Sequence, residues 1–167
     1  MDTTKNEKEQ LNEVLTKEEL LFHWQGHREL TRKVIVAFPE KELFDYSIGG
    51  MRPFAQMVME LLAIAGPGIR ELATGEQLEL QEDLQHLKTK QDILQFWDET
   101  TEVINSYWSQ LSESRFHDEI KVFGQYEGTV ISSLIYFIDN EIHHRGQAYV
   151  YLRALEIEPP AFWDRPF

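Results

Sequence analysis

Asn140 and His144, one helical turn apart in the stretch Asp139-Asn140-Glu141-Ile142-His143-His144-Arg145-Gly146-Gln147, have the spacing of a paired binding site. Residues four apart on an α-helix project from one face. Two ligands on one turn, completed by a side chain from a facing helix, are an economical way to build a metal site in a bundle. Imidazole suits zinc, nickel, copper or iron. The adjacent His143-His144 pair is weak support by itself, because such pairs are more often exposed or hydrogen-bonded and an ion needs a third ligand. His23 and His27 repeat the i, i+4 spacing nearer the N-terminus. His27 replaces an apolar residue on an inner stripe and reads as a satisfied core histidine; turned into the bundle, it would line the same pocket. His23 lies off that stripe, and His86 and His117 fall in expected loops.

Other chemistries find no support. The chain has no cysteine, so disulfides, zinc ribbons and a cysteine nucleophile are excluded, and any metal must be held by His, Asp, Glu or amide oxygen. There is no phosphate-cradling glycine loop and no GxSxG elbow. With 29 acidic against 16 basic side chains the net charge is -13, which would repel nucleic acid or an anionic membrane. Trp24, Trp97, Trp108 and Tyr107 read as core and interface, and Glu79 to Asp83 as a solvated face.

The elements that must position these residues are helical. Residues 1–15 are polar and weakly patterned, an N-terminal arm, and 16–167 form one domain. Thr16-Lys17-Glu18-Glu19 is a capping box, and Leu20, Trp24, Leu30, Val34 and Phe38 follow at helical spacing until Pro39. Glu40 to Gly50 reads as a connection. A second helix starts near Met51 with Pro53 in its first turn, and Gly66-Pro67-Gly68 should kink or interrupt it before Thr74-Gly75. Glu76 to Lys88 reads as a loop. Thr89 caps a third helix with the stripe Ile93, Trp97, Thr100, Ile104, Tyr107 and Leu111. Ser112 to Gln125 connects, with Lys121-Val122-Phe123 able to form a short extended piece, to a last helix from about Tyr126 to Leu155. Pro159-Pro160 stops it, leaving an aromatic tail. The fold class expected is all-α, an antiparallel four-helix bundle. The polar N-terminus lacks an apolar leader and no apolar run is long enough to span a bilayer, which points to the cytoplasm.

Glu141-Ile142-His143-His144-Arg145-Gly146-Gln147, with Tyr151-Leu152-Arg153 and Pro159-Pro160, resembles the last helix of the DinB-like (damage-inducible) family. Met51-Arg52-Pro53-Phe54-Ala55 and Ala73-Thr74-Gly75-Glu76 are similar to its second helix and the turn after it. The resemblance runs from about Leu20 to Phe162. It implies a DinB-like four-helix bundle with a pocket between the second and last helices. In the family a divalent metal is held by one histidine from the second helix and two, spaced i, i+4, from the last. Carried over by position, the metal residues here are Glu60, Asn140 and His144. A carboxylate is a competent ligand, but a neutral amide oxygen is a poor donor to zinc or nickel. The site has therefore either shifted toward a weaker or harder metal, or lost metal and kept a polar pocket.

The resemblance implies a metal-dependent small-molecule enzyme of thiol transferase or hydrolase type, with zinc or nickel as cofactor and a low-molecular-weight thiol as a partner. The alternative is a non-catalytic small-molecule-binding or structural dimer with a degenerate metal site. His143 is expected beside the site, Arg145 and Gln147 as polar contacts that orient ligands or join helices, and Gly146 at a close helix approach. A homodimer is expected as well. Adjacent rings such as Phe96-Trp97 and Tyr107-Trp108 point about 100° apart, so one of each pair must cover a loop, the C-terminal tail or another subunit.

Overall fold

The first helix, α1 (Lys17–Ala37), begins where Thr16 and Glu19 exchange hydrogen bonds in a complete capping box. It is followed by α2 (Glu40–Asp45), α3 (Phe54–Thr74) and α4 (Lys90–Gln110). A 3-10 turn (Glu113–Arg115), two strands, β1 (Glu119–Val122) and β2 (Tyr126–Thr129), and α5 (Val130–Ala154) complete the order in this computed structural model, which describes residues 14–166. Up to residue 13, the expected N-terminal arm lies outside the described residues. Thr89 and Thr129 cap α4 and α5 with the same reciprocal pattern. Three long helices are thus started by local hydrogen bonds written in sequence.

The chain is mostly helical, and α1, α3, α4 and α5 form the bundle. Lys17 reaches the Leu111 carbonyl, Gln25 pairs with Asn105 and Arg28 with Thr101, so α1 and α4 run antiparallel. Glu60 meets His144 and Gly68 meets Phe137, so α3 and α5 do too. The long 75–89 connection carries the chain back along the bundle. In consequence α4 starts at the same end as α3: Phe54, Met57, Ile93 and Trp97 share one core cluster, and Ile69, Leu72, Ile104 and Trp108 the other. Among the described residues no helix is long and apolar enough to cross a membrane.

Four local expectations are corrected. The 40–50 connection contains α2, which inserts Leu43 into the core. The Gly66-Pro67-Gly68 triplet does not interrupt its helix, because α3 runs through it to Thr74. Proline there removes one helical hydrogen bond, a cost of about 3 kcal/mol, but buried Leu61, Leu62, Ala65, Ile69 and Leu72 on the same helix outweigh it. The glycines serve packing instead. A Cβ on Gly66 would lie 3.2 Å from the Thr100 methyl, and one on Gly68 only 2.5 Å from the Phe137 ring. The last helix starts at Val130, since Tyr126 to Thr129 pairs antiparallel with β1, Val122 opposite Tyr126. Finally, Gly146 faces solvent, with nothing within 4 Å of where a Cβ would sit, so it permits no close helix approach.

The hairpin is held by a buried carboxylate that periodicity does not reveal. Glu71, 3% exposed, accepts hydrogen bonds from the backbone N–H groups of Phe123 and Leu78. Phe123 has φ 54°, a left-handed conformation that costs a bulky residue energy unless its surroundings impose it. The Glu71 contact and burial of the Phe123 side chain do so.

Candidate functional site

Antiparallel packing of α3 on α5 brings Glu60, Asn140 and His144 together. Glu60 Oε1 accepts from Asn140 Nδ2 at 3.3 Å and lies 3.1 Å from His144 Nε2. Its other oxygen, Oε2, lies 2.6 Å from a guanidinium nitrogen of Arg52, in the segment before α3. Arg52 is anchored in turn, because its backbone carbonyl accepts from the Tyr151 hydroxyl at 2.9 Å. Asn140 and His144 are buried and Glu60 is partly so. Burial pushes the Glu60 carboxyl up, but hydrogen bonds from Arg52 and His144 outweigh that and hold it below the ordinary carboxylate value. Glu60 therefore stays ionised at neutral pH, with donors on both oxygens.

The neighbours of the HHRGQ string divide between two faces of α5. Gln147 Oε1 lies 3.1 Å from His144 Nδ1, and Gln147 Nε2 lies 3.3 Å from exposed His143. His143 packs edge-on against the His144 ring, beside the site and outside it. Arg145 points the other way, toward α1.

There it joins a second polar cluster. Arg145 donates to the Thr31 hydroxyl at 2.9 Å and to His27 Nδ1 at 2.7 Å. The Glu141 carboxylate accepts from Thr31 at 2.6 Å and lies 3.9 Å from Arg28 and 3.8 Å from Arg145. Arg28 also donates to Thr101 and to the Trp97 carbonyl, and its guanidinium stacks 3.9 Å over the Trp97 ring. Burial pushes the Glu141 carboxyl up, opposed by Arg28, Thr31 and Arg145. His27 belongs to this cluster and not to the Glu60 pocket. Arginine only donates, so His27 Nδ1 must accept and its proton sits on Nε2, facing His23 Nε2 at 3.2 Å. Burial, with Arg145, Arg165 and His23 nearby, pushes His27 down to about 3. It is a neutral, satisfied core histidine. Sequence reasoning passed over Arg28 and Glu141. The available signal was opposite charges at inner-stripe positions of two helices.

Two cavities border α3. One of about 500 Å³ is lined by Ile64 of α3, Tyr136 and Phe137 of α5, and Phe123 and Tyr126 of the hairpin region. The other, about 620 Å³, lies between α3, α4 and the 75–89 segment. It is larger but holds no comparable convergence of reactive groups. Half-buried Phe96 and Tyr107 line it, while the C-terminal tail runs along α1, with Asp164 on Lys33 and Pro166 against Gly26.

The donor set fits a transition metal poorly. Glu60 is engaged by a permanent cation, and Asn140 turns its amide nitrogen, not its oxygen, toward the shared carboxylate. Among the described residues, no group of three or more His, Cys, Asp or Glu side chains is placed to hold an ion.

The fold is shared with solved structures. A DinB-like protein from Bacillus cereus superposes with a TM-score of 0.71 at 16% identity, over 87% of this chain and 97% of that one. The DinB-like protein YjoA from Bacillus subtilis gives 0.69 at 18% identity, over 89% and 99%. No curated protein matches the sequence. The sequence pattern of the DinB family matches residues 3–165, nearly the whole length. The chain therefore belongs to the DinB family.

Proposed function

We propose that this chain binds a small molecule in the groove between α3 and α5, where Glu60, Asn140 and His144 act as a metal-free polar centre. The observation that carries this reading is the 2.6 Å contact of Arg52 with Glu60, on a carboxylate whose other oxygen already faces Asn140 and His144. An incoming ion would have to compete with a guanidinium and would gain one imidazole and one amide in return, a weak set for zinc or nickel. Left to themselves, the three side chains satisfy one another and leave Glu60 ionised as a hydrogen-bond acceptor for a ligand donor.

A second reading keeps Glu60, Asn140 and His144 as ligands of zinc or nickel in a thiol transferase or hydrolase. It is favoured by the 3.1 Å approach of His144 Nε2 to Glu60 Oε1, close to the separation of two ligands on one ion with bonds of about 2.0–2.2 Å. Elemental analysis of protein purified without a metal column separates the two. The proposal expects well under one equivalent of metal, and zinc binding that tightens in Asn140→His as an amide is replaced by imidazole. One tightly held equivalent in the wild-type protein, lost in His144→Ala, would overturn it.

A further inference from the structure

The cavity beside the Glu60 centre has a chemical preference of its own. Ile64 lies one turn beyond Glu60 on α3, and Tyr136 one turn before Asn140 on α5; four residues advance about 6 Å along a helix. The cavity thus begins about one helical turn from the centre, along the same pair of helices. At about 500 Å³ the cavity falls within the ~300–1,000 Å³ range of small-molecule sites.

Its walls are apolar and set in advance. Ile64, Val122, Phe123 and Phe137 are buried, and the rings of Tyr126 and Tyr136 are 52% exposed at its mouth. Phe137 lies against α3 because Gly68 has no Cβ, and Phe123 is fixed at the hairpin tip by Glu71. The polar groups are mostly neutral, and the Ser132 and Ser133 hydroxyls already donate to the Thr129 carbonyl. Glu127 is the one charged lining residue, and it is paired with Lys121 at 3.2 Å. No basic side chain lines the cavity.

We infer that this groove selects an uncharged aromatic molecule, its ring among Ile64, Tyr136 and Phe137 and its hydrogen-bonding end toward Glu60. A carboxylate ligand would lose its hydration without meeting a cation among the lining residues, and its charged end would face Glu60, whose own cation, Arg52, sits on the other carboxylate oxygen. Aromatic walls suit a flat ring, which packs edge-on or offset against them. The inference rests on the proposed role of the Glu60 centre as a binding site.

The test is titration with 2-naphthylmethanol and with 2-naphthoate, nearly the same shape but neutral and anionic. The readout is the methyl NMR signals of Ile64 and Val122. The alcohol should shift both signals saturably and bind at least about tenfold more tightly than the naphthoate. Tyr136→Ala, at a half-exposed position where folding is not at stake, should weaken the alcohol several-fold. Ser133→Leu, which fills the cavity from α5, should do the same. Equal or tighter binding of naphthoate, or alcohol-induced shifts at Val103 in the other cavity and none at Ile64, would overturn the inference. Glu60→Ala, which removes the acceptor, separates the two claims. If it binds the alcohol as well as wild type does, the ring preference of the cavity stands, while the orientation toward Glu60 and the role given to the Glu60 centre both fall.

Discussion

Lowering the pH from 7 to 5 should destabilise this protein in a way that runs through His27. In the unfolded chain a histidine takes up its proton near 6.5, whereas folded His27 does so only at about 3. The unfolded state therefore binds more protons between those values, so stability is present above 6.5 and is lost as pH falls toward 3. One proton gives a slope of at most about 1.4 kcal/mol per pH unit, hence about 2 kcal/mol by pH 5. Screening through the exposed His23 end of the pair reduces this toward 1 kcal/mol. The groups facing the ring are Arg145 from α5, Arg165 from the tail and His23 from α1, and Asp139 acts on His23. His23 is lowered as well, by burial and then Arg165, and adds in the same direction. Urea unfolding at pH 7 and pH 5, on wild type and His27→Gln, isolates the effect. Glutamine can accept from Arg145 and donate to His23 without titrating. The wild type should lose about 1–2 kcal/mol more than the variant over this interval. Identical losses would mean that folded His27 protonates normally, and the account of its burial would fail.

Three further outcomes follow from the packing. Gly68→Ala should cost about 1–3 kcal/mol in thermal or urea unfolding, because its methyl would overlap the Phe137 ring; a neutral result would show that the ring moves freely. Glu71→Ala removes charge-assisted bonds to Phe123 and Leu78 and should cost about 2–3 kcal/mol, with faster amide exchange at Phe123. Exchange that stays slow would place the restraint elsewhere. Light scattering at micromolar concentration should give twice the mass of one chain, through the α3/α4 face where Phe96 and Tyr107 lie half-buried. A mass of one chain, unchanged on concentration, refutes the dimer.

Features governed by neighbours in the chain were legible in the sequence. Thr16 with Glu19, and Thr89 by itself, announce helix starts, because a cap acts within three residues of its own position and needs nothing else. Pro39 ends α1 for an equally local reason, and the i, i+4 spacing of Asn140 and His144 places both on one face of α5. Tertiary structure decided whatever depends on a distant partner. The cost of Pro67 is local, but the packing of Leu61 to Leu72 that overrides it is not. Glu71 looks like any helical glutamate until the hairpin tip arrives to be held. Gly146 looks like a packing glycine, but its packing role falls to Gly66 and Gly68, because α5 turns residue 146 to solvent. The character of the Glu60 centre was decided the same way. Spacing and resemblance bring Glu60, Asn140 and His144 to one place, but only the fold sets Arg52 on the remaining carboxylate oxygen. A charge on a carboxylate oxygen depends on a few ångströms of three-dimensional separation, and a one-dimensional pattern carries no measure of that distance.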